Sequence, residues 1–273
     1  MTSRKFCIPA TGGARDCIAE TLRTMSAIWL IVCTIASRNR LAARCGTKPA
    51  RPIATPIKIT TRNSEVSGLA LRPKDAKALF VFAHGAGVGM AHPSMAASAQ
   101  GLAARGIATL RFQFPYMEKG SKRPDSAPIA QGTVQAAVAK AARLMPGLPL
   151  FAGGRSYGGR MTSQAQASRP LEGVRGLVFL GFPLHPAGKA GTERADHLQS
   201  VEVPMLFVSG SRDALAEMAL LKPMVAGLGD RATLQVIEGG DHSLNTLASS
   251  GRTRDEARTE ALDAAANWML GLV

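Results

Sequence analysis

Apolar positions beyond residue 57 fall into two alternating patterns. Five- to seven-residue runs are nearly continuous: Ala78–Ala83 (ALFVFA), Ile107–Phe112, Leu148–Ala152, Val174–Leu180, Met205–Ser209 and Leu234–Glu238. Such runs fit strands buried on both faces. Between them the apolar residues spread to helical spacing. Ser94–Arg105 reads as a helix closed by Gly106. Gln131–Met145 places Val134, Val138, Ala141 and Met145 on one face. A last helix opens on a capping box, Thr253 with Glu256, and carries the stripe Ala257, Ala261, Leu262, Ala265, Trp268, Met269. Ahead of these, IKITTRNSEVSGLALRP predicts one or two outer strands with a turn at Arg62-Asn63-Ser64. Strands alternating with helices predict an α/β fold: a mostly parallel sheet with helices on both faces and no large cap domain. Ligands of such sheets sit beyond the carboxyl ends of the strands.

The residues just past each run therefore carry the chemistry. ALFVFA ends in His84-Gly85-Ala86-Gly87. Leu148–Ala152 leads into Gly153-Gly154-Arg155-Ser156-Tyr157-Gly158-Gly159-Arg160. The next two are followed by Gly210-Ser211-Arg212-Asp213 and Gly239-Gly240-Asp241-His242. A serine, an aspartate and a histidine thus follow buried runs in that chain order. G-x-S-x-G between a strand and a helix is the pattern of a nucleophile elbow, in which the flanking glycines avoid a clash in a strained turn. A serine hydroxyl needs a base and the base an orienting partner. Ser156 is the candidate nucleophile, His242 the base and Asp213 the orienting acid. Asp241 is set aside because adjacent side chains in an extended loop point apart. The backbone N–H of Tyr157, with one from Gly85 or Ala86, would form the oxyanion hole.

These residues resemble the α/β-hydrolase superfamily. More narrowly, the chain is similar to a dienelactone-hydrolase-related group of predicted hydrolases. That group includes the testis-expressed hydrolase-like protein and the hydrolase-like domain of a regulatory subunit of the NSL histone-acetyltransferase complex. The matching stretches are FAHGAG, LRFQFPYM, GGRSYGGRM, GFPLHPAGK, GSRDALA and GGDHSL, within residues 75–245. The resemblance implies Ser156, Asp213 and His242 as a triad, with no cofactor and no metal. The loop reads HGAG rather than HGGG, so lipase specificity is not implied.

Further candidates surround the elbow. Arg155 and Arg160 could form a cationic wall for acidic acyl groups, or pair with acids on a helix. His185 could line the pocket or be structural. His84 is expected to brace the oxyanion loop, and His92 and His197 to lie in loops. Tyr116–Pro128 and Pro183–Asp196 are polar segments expected to frame the site.

Composition adjusts this picture little. The chain has 273 residues, 46% of them hydrophobic, and a formal net charge of +14. Residues 1–51 carry nine Lys/Arg against two Asp/Glu, so half of the excess sits in that segment. The remaining basic residues are scattered with few aromatics between them, which argues against nucleic-acid binding. All four cysteines, Cys7, Cys17, Cys33 and Cys45, lie in the first 45 residues with no C-x-x-C spacing. The apolar stretch Met25–Ser37 is shorter than the roughly 20 residues of a membrane span. Residues 1–54 are expected to be an extension and linker, disordered or non-native, and 55–273 the hydrolase domain. The function expected is hydrolysis of a small soluble ester or thioester in the cytoplasm. A protein partner stays open; nucleic acid and stable membrane insertion are not expected. The rival reading is a binding or scaffold protein that keeps the fold with little activity.

Overall fold

Eight strands of this computed structural model join in one sheet, in the order β1-β2-β4-β3-β5-β6-β7-β8. The structure describes residues 51–62 and 64–273, and residues 52–273 form one compact unit. The cysteines, Met25–Ser37 and the expected extension up to residue 50 lie outside the described residues.

The strands are β1 (Thr55–Thr60), β2 (Glu65–Leu71), β3 (Ala78–Ala83), β4 (Ile107–Phe112), β5 (Leu150–Arg155), β6 (Val174–Leu180), β7 (Met205–Gly210) and β8 (Ala232–Ile237). β1 and β2 are antiparallel, and the six strands from β3 to β8 run parallel. Every residue of β3, β4 and β7 is buried, as continuous apolar runs require when both faces are covered. β1 lies at an edge and alternates toward exposure.

Two helical layers do the covering. On one face, α3 (Ala127–Leu144) and α4 (Tyr157–Ser168) contribute Val134, Val138, Ala141, Met161 and Ala165 to the core. On the other, α1 (Pro93–Ala103) and α6 (Arg254–Leu270) contribute Met95, Leu102, Ala257, Ala261, Leu262 and Met269. Thr253 caps α6 with both hydrogen bonds of the predicted capping box. The remaining helices are α2 (Pro115–Glu118) and α5 (Met218–Ala226).

The differences from expectation have local causes. α3 begins at Ala127 rather than Gln131, because Pro128 sits in its first turn, where a missing N–H costs nothing. β5 continues to Arg155, because Gly153 and Gly154 pair with β6 on one side and β3 on the other. α5 contains Pro223, which masks its helical pattern in the sequence. Glu193–Ser200 forms a 3-10 helix and so places His197 on an element rather than in a loop.

β3 has β4 on one side and β5 on the other, and the chain crosses from β4 over β3 to reach β5. The loops after β3 and β5 therefore meet at adjacent carboxyl ends, at a point where the winding changes direction. That is where a crevice forms in sheets of this kind.

Candidate active site

The turn after β5 is held in an unusual backbone conformation. Ser156 has φ 46° and ψ −116° and caps the N-terminus of α4. Positive φ in a residue with a side chain costs on the order of 1–3 kcal/mol and persists only where the surroundings impose it. Here the surroundings are backbone. A Cβ on Gly154 would lie 2.4 Å from the Ala83 carbonyl oxygen, and one on Gly158 2.5 Å from that of His84. The turn can pass over the end of β3 only with glycine at both places.

Three side chains from three strand ends meet at this turn. His242 Nε2 lies 2.8 Å from Ser156 Oγ. His242 Nδ1 lies 2.9 Å from each carboxylate oxygen of Asp213. The Asp213 side chain is fully buried, and its Oδ1 also accepts from the Leu215 N–H at 2.8 Å. The His242 side chain is 24% exposed, so the serine end of the chain of hydrogen bonds can be reached from solvent. Asp241 is engaged elsewhere: its Oδ1 accepts from the N–H groups of Ser243 and Asn245 at 2.7 and 2.9 Å and closes the turn that presents His242.

The loop after β3 lies against the same turn. A Cβ built on Gly85 would come within 3.9 Å of Ser156 Cβ. His84 is fully buried and spans the loop: Nδ1 donates to the Gly85 carbonyl at 2.8 Å, and Nε2 accepts from the Phe114 N–H at 3.1 Å. These partners require the neutral ring. Burial pushes the His84 pKa down accordingly, opposed in part by the bond to Gly85. The Gly85 carbonyl and the Ala86 N–H belong to one peptide plane and point in opposite directions. Holding the former on His84 turns the latter away from it. Tyr116 Oη fixes the next peptide by donating to the Ala86 carbonyl at 2.9 Å. Among the described residues, neither the Ala86 N–H nor the Tyr157 N–H has a protein acceptor.

An aromatic cluster supports this loop. Phe114 packs edge-on against His84 at 4.9 Å and against Tyr157 at 5.3 Å, and Tyr116 stands 6.2 Å from Tyr157. Burial, with the nearby Asp125, raises the Tyr116 pKa to about 12; Tyr157 is raised further by the same burial. Both hydroxyls therefore stay protonated. The sequence did not mark Tyr116 as a functional residue; its bond to Ala86 spans thirty positions and exists only in the folded chain.

The remaining candidates are placed as follows. Arg155 donates from Nη2 to the Ser243 carbonyl at 3.0 Å, tying the elbow to the His242 loop. Arg160 lies one turn into α4 with its Nε buried and unpartnered; burial lowers its pKa, and Arg194 and Tyr157 are its charged or ionisable neighbours. Neither arginine forms a salt bridge with an acid among the described residues. His185 is buried, with Nδ1 2.9 Å from the Pro186 carbonyl and Nε2 on Glu217. His197 Nε2 pairs with Ser163 Oγ at 2.7 Å, but Ser163 is fully buried inside α4 and is bonded to the Arg160 carbonyl. This second Ser–His pair has no access to substrate. Among the described residues, no group of three or more His, Cys, Asp or Glu side chains is placed to hold a metal ion, and no helix is long and apolar enough to cross a membrane.

A family model described as an alpha/beta hydrolase domain matches residues 76–270. The chain belongs to that family. Solved structures share its fold. The dienelactone hydrolase of Anabaena variabilis aligns with a TM-score of 0.67 at 21% identity, over 82% of this chain and 99% of that one. A serine hydrolase without a lid from Xanthomonas campestris aligns at 0.61 and 18% identity, over 79% and 95%. A cold-adapted esterase from an Arctic intertidal metagenomic library aligns at 0.61 and 15% identity, over 84% and 98%. The expected likeness to dienelactone-hydrolase-related α/β-hydrolases is thus present at the level of fold.

Proposed function

We propose that this protein is a serine hydrolase that cleaves small soluble carboxylic esters or thioesters through an acyl-enzyme. The observation that carries the reading is the continuous chain from Ser156 Oγ through His242 to the buried Asp213, starting at a serine in a strained turn.

In this reading Ser156 Oγ attacks the carbonyl carbon while His242 Nε2 takes its proton. Asp213 stays ionised, holds Nδ1–H and stabilises the imidazolium. The negative charge formed on the carbonyl oxygen is met by the N–H groups of Tyr157 and Ala86, and by the N-terminal end of α4. The tetrahedral intermediate collapses, and His242 gives its proton to the departing alcohol or thiol. Water then attacks the acyl-serine. Its proton passes to His242 and on to Ser156 Oγ as the carboxylic acid leaves. No cofactor is needed for either half.

Between β4 and α3, and between β6 and β7, the chain forms only short helices and adds no separate domain over Ser156. An open site of this kind favours small or extended substrates. Labelling of the purified protein with a fluorophosphonate probe tests the reading. Wild-type protein is expected to label and Ser156→Ala not to. A folded wild-type protein that stays unlabelled would overturn it and transfer the weight to a binding role.

A further inference from the structure

A polar cavity lies behind the candidate triad, between α1, α6 and the His242 loop. Its volume is about 60 Å³, and it is bounded by three arginines: Arg155, Arg254 and Arg258. No carboxylate lines it. Ser98, on α1, also lines it; this residue is only 4% exposed, and its hydroxyl has no partner among the described residues. That hydroxyl is therefore free to bond whatever occupies the cavity. Asn245, whose side chain is likewise unbonded, stands on the opposite wall.

The nearby acids offset only part of this charge. Asp255 accepts from Arg258 Nη2 at 2.7 Å, but its side chain is 80% exposed, and such surface pairs contribute little. Asp241 acts on Arg155 through its charge and is held by Ser243 and Asn245. Arg254 has no acidic partner among the described residues. Three arginines, a serine and an asparagine line one small cavity, with Arg254 at its exposed rim; this suits an oxygen-rich anion, because guanidinium forks bind phosphate and carboxylate in pairs of hydrogen bonds. One water needs about 10–15 Å³ of such space, so the cavity has room for a few waters or one small ion.

We propose that this cavity is a binding site for a small oxyanion with the chemistry of inorganic phosphate or a short carboxylate. Its position gives it influence over the reaction centre. Arg155 immediately precedes Ser156, and Ser243, whose carbonyl Arg155 holds, immediately follows His242. An anion that fixes Arg155 fixes the backbone on which both catalytic side chains are carried.

The test is titration of the full-length protein with sodium phosphate and, separately, sodium acetate, by calorimetry and thermal unfolding. Sodium chloride at matched ionic strength is the control. Saturable binding is expected, with a rise in Tm of roughly 5–10 °C at a hundredfold excess over Kd. The double variant Arg254→Gln/Arg258→Gln should weaken it at least tenfold, and Ser98→Ala severalfold. An equal effect from chloride would overturn the proposal. So would unchanged affinity in the double variant or, if that variant fails to fold, in Ser98→Ala. Ester turnover in the presence of phosphate separates two sources of the anion. Competitive inhibition assigns the site to an anionic group carried by substrate, and a changed kcat at constant KM to a free anion. Binding is read without catalysis, so failure of the hydrolase reading would leave this result standing.

Discussion

Asp213 is where a single atom exchange separates geometry from chemistry. Its two oxygens face His242 Nδ1 at equal distance, and one also holds the Leu215 N–H. Asp213→Asn keeps the volume and one acceptor oxygen. It removes the negative charge that, in the proposed reaction, stabilises the imidazolium, and allows the amide to point a donor at Nδ1, which selects the wrong tautomer. In the serine-protease triad this exchange lowers kcat about 10⁴-fold. A loss of 10³–10⁴ in kcat on p-nitrophenyl acetate, with an unchanged circular dichroism spectrum, is expected here. A loss of less than tenfold would remove Asp213 from the proposed role. The sequence could nominate Asp213 over Asp241 only by the direction of adjacent side chains. The structure adds the physical ground: Asp241 is occupied with two backbone N–H groups of its own turn. What the sequence could not disclose is what lies thirty to ninety positions away. The bond from Tyr116 to Ala86, and the one from Arg155 to the Ser243 carbonyl, are of this kind.

The elbow joins β5 to α4 across the end of β3, and its tolerance is set by contacts between backbones. Gly158→Ala puts a methyl 2.5 Å from the His84 carbonyl oxygen and 2.7 Å from the Ala83 carbonyl carbon. Neither neighbour can turn aside as a flexible side chain would. Overpacking of this sort costs about 1–3 kcal/mol or more. For a domain of this size that corresponds to a Tm lower by roughly 2–12 °C. Labelling by fluorophosphonate should slow as well, because the strain falls on Ser156 and on the loop after β3. A variant with wild-type Tm and labelling rate would show that the glycine is dispensable. The same element shows why so much of the sheet was legible. β3, β4 and β6 match their expected bounds residue for residue, because apolar residues at both ends mark the limits of each strand. β5 was legible only to Ala152, since Gly153 and Gly154 read as a turn while serving as strand. α5 was missed because Pro223 interrupts it.

Across the whole molecule, buried histidines set the response to acid. Burial lowers the His197 pKa to about 4, with Arg160 adding to the effect and Asp196 opposing it. Burial also lowers that of His84. Both rings are neutral in the folded and unfolded chain above pH about 6.5. Below that value the unfolded chain takes up protons that the folded chain refuses, so stability falls as pH falls. For His197 the loss runs from about pH 6.5 to about pH 4 and then levels off. The exposed carboxylates Glu256 and Asp263, whose pKa values are lowered by their hydrogen bonds to Thr253 and Arg105, lose their contribution only at the acid end of this range. The upper part of the window therefore belongs to the histidines. His197→Gln removes one of them while leaving a side chain able to bond Ser163 Oγ. Urea midpoints measured from pH 7.5 to pH 4 should fall less steeply in this variant than in wild type, with the gap opening below pH 6.5. Parallel curves would mean that His197 charges as readily in the folded protein as in the unfolded one, and that neither its burial nor the charge of Arg160 opposes its protonation.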